Sequence, residues 1–181
     1  MASFQDRVIG AMRLQPSTFE EVEHDASATS QAAMVVAAVA VAGIIASIRY
    51  ITIPTAIMLV VFQLIGWVVG SFVVLLVGTK LFPGKNTEAD LGQMLRTMGF
   101  AQSAGLFNVL GIIPFLGWLI RLVVAIWILV AMVIAVKQAL DYEDTIKAVI
   151  VCLVAWVIMF MVTFVASLMG IGAAGLAGGM F

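Results

Sequence analysis

One cysteine, one histidine and four prolines occur among the 181 residues, and only 10% of the side chains are charged. A lone Cys152 excludes an internal disulfide, and its apolar, uncharged surroundings read as those of a buried, inert thiol. A lone His24 leaves little for redox chemistry or a metal centre. The formal net charge of −1, with no basic stripe, excludes a nucleic-acid partner. Tandem repeats are absent, which excludes solenoid and collagen-like chains. No Walker loop, dinucleotide fingerprint, nucleophile elbow or zincin motif occurs, so nothing points to an enzyme or a cofactor. What is present in excess is hydrocarbon: 64% of residues are hydrophobic and the mean hydropathy is +1.18. A soluble domain is about half apolar and about a quarter charged. The bilayer is therefore the main solvent of this chain.

The scarce charges act as punctuation. Uncharged runs cover 26–48, 50–79, 97–120, 122–136 and 148–181. A helix needs around 20 apolar residues to cross the hydrocarbon core. The run 122–136 is short, and it suffices only if its helix starts near Gly117 and carries Arg121 in its first turns, where the side chain can snorkel. This spacing predicts an all-α, polytopic membrane bundle of five transmembrane helices over 31–49, 56–79, 98–114, 117–138 and 147–169. A cytoplasmic amphipathic segment, 1–30, precedes this transmembrane domain, 31–181. The third span is diluted by Gln102, Ser103, Asn108 and three glycines (Gly99, Gly105, Gly111), so a re-entrant or tilted segment over 98–116 is its alternative.

Lys and Arg counting orients the spans. Arg7, Arg13, Lys80, Lys85, Arg96, Lys137 and Lys147 fall on one side, with all ten acids; Arg49 and Arg121 fall on the other. The expected topology has a cytoplasmic N-terminus and a C-terminus on the far side. Asp6, Arg7 and Arg13 argue against a cleavable signal peptide, and neither a myristoylation start nor a prenylation cysteine is present.

Three segments lie outside the spans. Residues 3–14 place Phe4, Val8 and Met12 on one stripe with Ile9 beside it, an interfacial amphipathic helix with its charges turned away. Pro16 ends it, and Ser17 and Thr18 stand three residues before Glu20 and Glu21 as overlapping capping boxes for a second helix. Thr87 before Asp90 is expected to cap a third amphipathic stretch, with Leu91, Met94, Leu95 and Met98 on its apolar face.

Few groups offer chemistry. Glu20, Glu23 and His24 share helical spacing, but no second His or Cys completes a metal site, so solvated acids are expected there. Asp141, Glu143 and Asp144 do not match an EF-hand and read as a solvated loop. Within the spans, Gln63 and Asn108 read first as interhelical hydrogen bonds. A polar path near Gln63, Asn108 and Arg121 is the sharper reading, although no acid lies at mid-membrane depth to couple protons or cations. Gly66 and Gly70 form a GxxxG, and Ala38, Ala42 and Ala46 repeat the spacing, so these are expected helix-packing faces, within one chain or between copies in a homo-oligomer.

The order of parts resembles the Yip (Ypt-interacting protein) domain family of five-span membrane proteins, in its bacterial branch. The resemblance rests on PSTFEEV at 16–22, LGQMLRTMGFAQSAGLFNVLGIIP at 91–114 and QALDYEDTIKAV at 138–149. Eukaryotic members act in Rab-linked vesicle traffic. This chain lacks their acidic-tyrosine-glycine-proline signature and has Ala104 where many relatives carry proline, so a Rab-type GTPase partner is not carried over. The resemblance implies a multi-pass protein of the bacterial inner membrane. The expected function is non-enzymatic, acting through helix packing and through protein or lipid association; the alternative is a channel or transporter.

Overall fold

The computed structural model describes residues 2–49, 51–85, 87–113 and 115–168; the C-terminal end expected on the far side, and the last residue of the span over 147–169, lie outside them. Seven α-helices occupy this length: α1 (Phe4–Met12), α2 (Pro16–His24), α3 (Ala28–Ala46), α4 (Ile53–Leu76), α5 (Leu91–Ala101), α6 (Gly117–Ala139) and α7 (Thr145–Leu168). A π-helical turn, Val77–Leu81, extends α4, and a 3₁₀ helix, Gln102–Ile112, extends α5. No strand occurs among the described residues.

Four elements are long and apolar enough to cross a membrane: Ala28–Ala46, Ile53–Leu81, Gly117–Ala139 and Thr145–Val165. Each follows one of the uncharged runs, with backbone hydrogen bonds satisfied within the helix and a mostly apolar surface. The fifth expected span, 98–114, is not a single α-helix. Its first residues finish α5 and the rest form the 3₁₀ helix, with Pro114 outside the described residues. Gln102, Ser103 and the glycines weaken α-propensity there, and close packing on neighbours sets the backbone instead.

The rod formed by α5 and the 3₁₀ helix is the centre of the bundle, touching α3, α4 and α6. It runs parallel to α3, with Gly99 against Ala32, Gly105 against Val39 and Gly111 against Ala46. It runs antiparallel to α6, since Gly105 also faces Ile128 and Gly111 faces Arg121. A Cβ at Gly99 would lie 2.7 Å from the Ala32 Cβ, and one at Gly105 would lie 2.5 Å from Val39 Cγ1. Glycine is required here because helices in lipid gain little from hiding apolar surface and must approach closely for dispersion contacts. The core around the rod is built from Val35, Val36, Met94, Phe100, Ala135 and Val136, all essentially buried. Outward faces of α4, α6 and α7 are apolar and exposed, as at Ile53, Ile126 and Phe160, which suits contact with lipid tails.

The small-residue faces differ in what they meet within one chain. An added Cβ at Gly66 or Gly70 would meet nothing within 4 Å, so the GxxxG of α4 seats no neighbour among the described residues. Ala42 is buried and Ala38 exposed on α3. The close-contact glycines are those of the rod.

Capping also differs from expectation. Asp90, not Thr87, caps α5, accepting from the Gln93 N–H while the Gln93 side chain accepts from the Asp90 N–H, each at 2.8 Å. Thr87 Oγ1 instead accepts from the Gly84 N–H and donates to the Leu140 carbonyl. Helix α2 begins at Pro16 itself, with Gln15 at the cap position making no side-chain bond. Proline needs no partner for a missing N–H, so the Ser17 and Thr18 boxes are not formed.

Candidate functional site

Polar side chains gather at two levels of the bundle. The first is the end that carries the acids. Arg7 of α1, expected to face away from the apolar stripe, is only 2% exposed. Its Nη2 donates to Asp25 Oδ2 at 2.6 Å and to Glu21 Oε1 at 2.9 Å, and its Nη1 donates to Gln31 Oε1 at 3.0 Å. One guanidinium thus ties α1, α2 and the start of α3 together. Hydrogen bonds from Ser27 and then Arg7 hold the Asp25 carboxyl down to about 2, while the Ala2 N–H and Arg7 lower Glu21. The buried face of α1 is Arg7, Gly10 and Ala11; Phe4 and Ile9 remain exposed and Val8 and Met12 half-buried. The apolar stripe lies along the edge of the bundle, with Val8 packed against the core and the Phe4 ring edge-on to Phe100 at 6.5 Å, while Ile9 faces outward. The Trp127 indole of α6 completes the docking by donating to the Met12 carbonyl at 2.9 Å.

Arg96 of α5 performs a second attachment. Its guanidinium donates to the carbonyls of Val22 and Glu23, the unsatisfied acceptors at the C-terminal end of α2. Beside it Glu23 is 2% exposed, accepts from Gln93 Nε2 at 3.2 Å, and leaves its other oxygen without a partner. Burial pushes the Glu23 carboxyl up to about 7; Asp141 and Glu20 add to the rise, and His24 and Arg96 oppose it. Glu20 and His24 are exposed while Glu23 is turned inward, so the three do not share one face. Among the described residues no group of His, Cys, Asp and Glu could hold a metal ion.

The loop between α6 and α7 is anchored as well. The buried Tyr142 hydroxyl lies 3.0 Å from the Gly78 carbonyl and 2.7 Å from the Phe82 carbonyl, so the π-helical turn of α4 receives it. Lys147 donates to the Pro83 carbonyl at 2.7 Å and sits over the Tyr142 ring. Glu20, Glu88, Asp90, Asp141, Glu143 and Asp144 remain exposed around these anchors. The result is a fixed acidic surface.

The second level lies inside the bundle. Gln63, Asn108 and Arg121 line one cavity of about 550 Å³, walled by Val39, Gly43 and Ala46 of α3 and by Val124, Ile128 and Met132 of α6. The structure therefore brings the three residues of the candidate polar path together. Gln63 Nε2 donates to Gln102 Oε1 at 2.8 Å, so its partner is an amide of the central rod, and Gln102 lines the same cavity. Gln102 was visible only as a polar interruption in a weak span; its spacing from Gln63 carries no periodic signal. Gly66 and Gly70 border a separate hollow of about 220 Å³ with Trp67, Ser71 and Met98.

Known proteins supply one match. The family model described as the Yip1 domain matches residues 9–167. No curated protein and no solved structure matches the chain.

Proposed function

The chain belongs to the Yip1 domain family, and from that premise we propose that it is a five-span, non-enzymatic protein of the bacterial inner membrane that organises membrane components through its fixed cytoplasmic surface. It is a multi-pass membrane protein. The observation that carries the reading is the double anchoring of α1 and α2 by Arg7 and Arg96. Two short helices outside the spans are held in one geometry, amid exposed acids, as a binding surface for protein or lipid partners needs.

The geometry of the rod supports five spans. A 3₁₀ helix rises about 2.0 Å per residue, so 102–112 covers roughly 22 Å, and the end of α5 brings 98–112 near the hydrocarbon thickness of about 30 Å. Parallel packing of the rod with α3 agrees with alternating passage. Cysteine labelling in a Cys152→Ala background tests this. Ser17, Lys85 and Glu143 should react from the cytoplasm, and Ile48 and Phe115 only from the opposite face. With four spans, Phe115 and Glu143 exchange sides, which sinks the five-span reading.

The shared cavity of Gln63, Gln102, Asn108 and Arg121 favours a second reading, a conduit. Its polar lining is sparse, and ions need replacement contacts for lost hydration. The surface-platform reading expects liposomes carrying the protein to show no ion flux above empty vesicles. Flux that disappears in Gln63→Leu or Asn108→Leu, with folding intact, promotes the conduit.

A further inference from the structure

Opposite the acidic surface, a cavity of about 300 Å³ opens between the end of α3, the end of the 3₁₀ helix and the start of α6. Arg49 and Arg121 both line it. Every ion pair among the described residues belongs to Arg7, and neither Arg49 nor Arg121 donates a hydrogen bond to a described residue. All ten acidic side chains lie in segments at the other end, so no Asp or Glu pairs with these two. Two like charges on one concave wall repel each other, and an anion between them removes that cost. Guanidinium groups present paired donors that match phosphate oxygens.

The surroundings indicate where such an anion comes from. Phe115 is 95% exposed and Trp118 is 69% exposed at the rim, and aromatic side chains at the ends of apolar spans sit at headgroup depth. The larger interior cavity shares Ala46 and Arg121 with this one and is mainly apolar, so it lies in line to receive the first part of an acyl chain.

We propose that the Arg49–Arg121 cavity binds a phosphate-bearing anion, with the headgroup of an anionic phospholipid as the source its position favours. The proposal rests on the reading that this end of the bundle lies at a membrane face. Incorporation of the full chain into nanodiscs tests that reading separately from the site.

Nanodiscs with equal phosphatidylglycerol and phosphatidylcholine, followed by native mass spectrometry of retained lipid, test the site. Phosphatidylglycerol should be retained about thirtyfold over phosphatidylcholine, the scale expected for two arginines at a membrane surface. The preference should fall towards unity in R49Q and R49Q/R121Q, persist in R49K and be unchanged in K85Q at the opposite end. Arg49 is exposed, so R49Q should melt like the parent protein and keep the test readable. If phosphatidylglycerol shows no preference but inorganic phosphate raises the melting temperature in an Arg49-dependent way, the anion is free phosphate and the site stands. Equal retention of both lipids with no arginine-dependent phosphate effect overturns the proposal. So does a preference that survives R49Q/R121Q.

Discussion

Four arginines mark the two ends of this bundle, and the ends treat them oppositely. Arg7 and Arg96 are buried, and each is surrounded by acceptors drawn from other helices. Arg49 and Arg121 line a cavity with no carboxylate beside them among the described residues. The same side chain serves as a structural tie where partners are supplied by the chain. Where they are not, it is held ready for a ligand. The difference lies in the acceptors that neighbouring helices supply, carboxylates for Arg7 and backbone carbonyls for Arg96, not in the arginines.

The comparison breaks most sharply at Arg7. Arg7→Ala leaves Glu21 and Asp25 without their shared cation, and removing one partner of a buried pair costs about 3 kcal/mol. Thermal melting in detergent should fall strongly, and α1 should become accessible to protease. R121Q should change melting far less; equal losses would erase the distinction between the two ends.

Gly99→Leu comes next, because the side chain would press on the Ala32 backbone, and overpacking costs about 2 kcal/mol. Gly66→Leu points into open space and should leave monomer melting unchanged. A loss of a larger species on size exclusion in Gly66→Leu alone would assign the GxxxG face to contacts between copies.

Gln63→Leu leaves the Gln102 carbonyl oxygen without its donor and should cost about 1 kcal/mol. The double variant Gln63→Leu/Gln102→Leu should recover part of that loss. If the two single losses simply add, the amide pair is not coupled.

The smallest effect concerns pH. Glu23 is protonated to higher pH in the folded chain than in the unfolded chain, because its carboxyl is raised to about 7 from 4.5. The folded state then binds more protons across that interval, so this group makes stability fall as pH rises from about 4.5 to about 7. Glu23→Gln should flatten the decline in melting temperature over that interval. Asp25 acts in the opposite sense at lower pH, since its contribution is lost as pH falls from 3.8 towards about 2. An unchanged slope in Glu23→Gln would place the pH response elsewhere.

The apolar helices were legible because charge spacing reports directly on membrane length: α3 and α4 lie within uncharged runs, and α6 and α7 cover one each with charges only near their ends. The rod was harder to read. Gln102, Ser103 and three glycines look like defects until Ala32, Val39 and Ala46 are seen against them. Periodicity identified small residues on α4 but could not show what lies opposite; within one chain the close contacts are made by Gly99 and Gly105. Arg7 was placed on the outer face because its acceptors are 14 to 24 residues away in the chain, beyond any helical repeat. Gln63, Asn108 and Arg121 were found by asking which polar groups fall within apolar runs, and they do line one cavity.

The 3₁₀ helix makes the central rod adjustable in length. Rewinding its 11 residues as α-helix would shorten it by about 5 Å, since the rise drops from about 2.0 to about 1.5 Å per residue. The helices around it have no such slack. Thinning of the bilayer would favour the shorter form and thickening the longer one, at modest cost per ångström of mismatch. A change of thickness would then be converted into sliding of Gly105 and Gly111 along α3, drawing the Arg121 end of the bundle towards the midplane. The segment least suited to crossing the membrane by composition thus reaches further per residue than the α-helices packed around it.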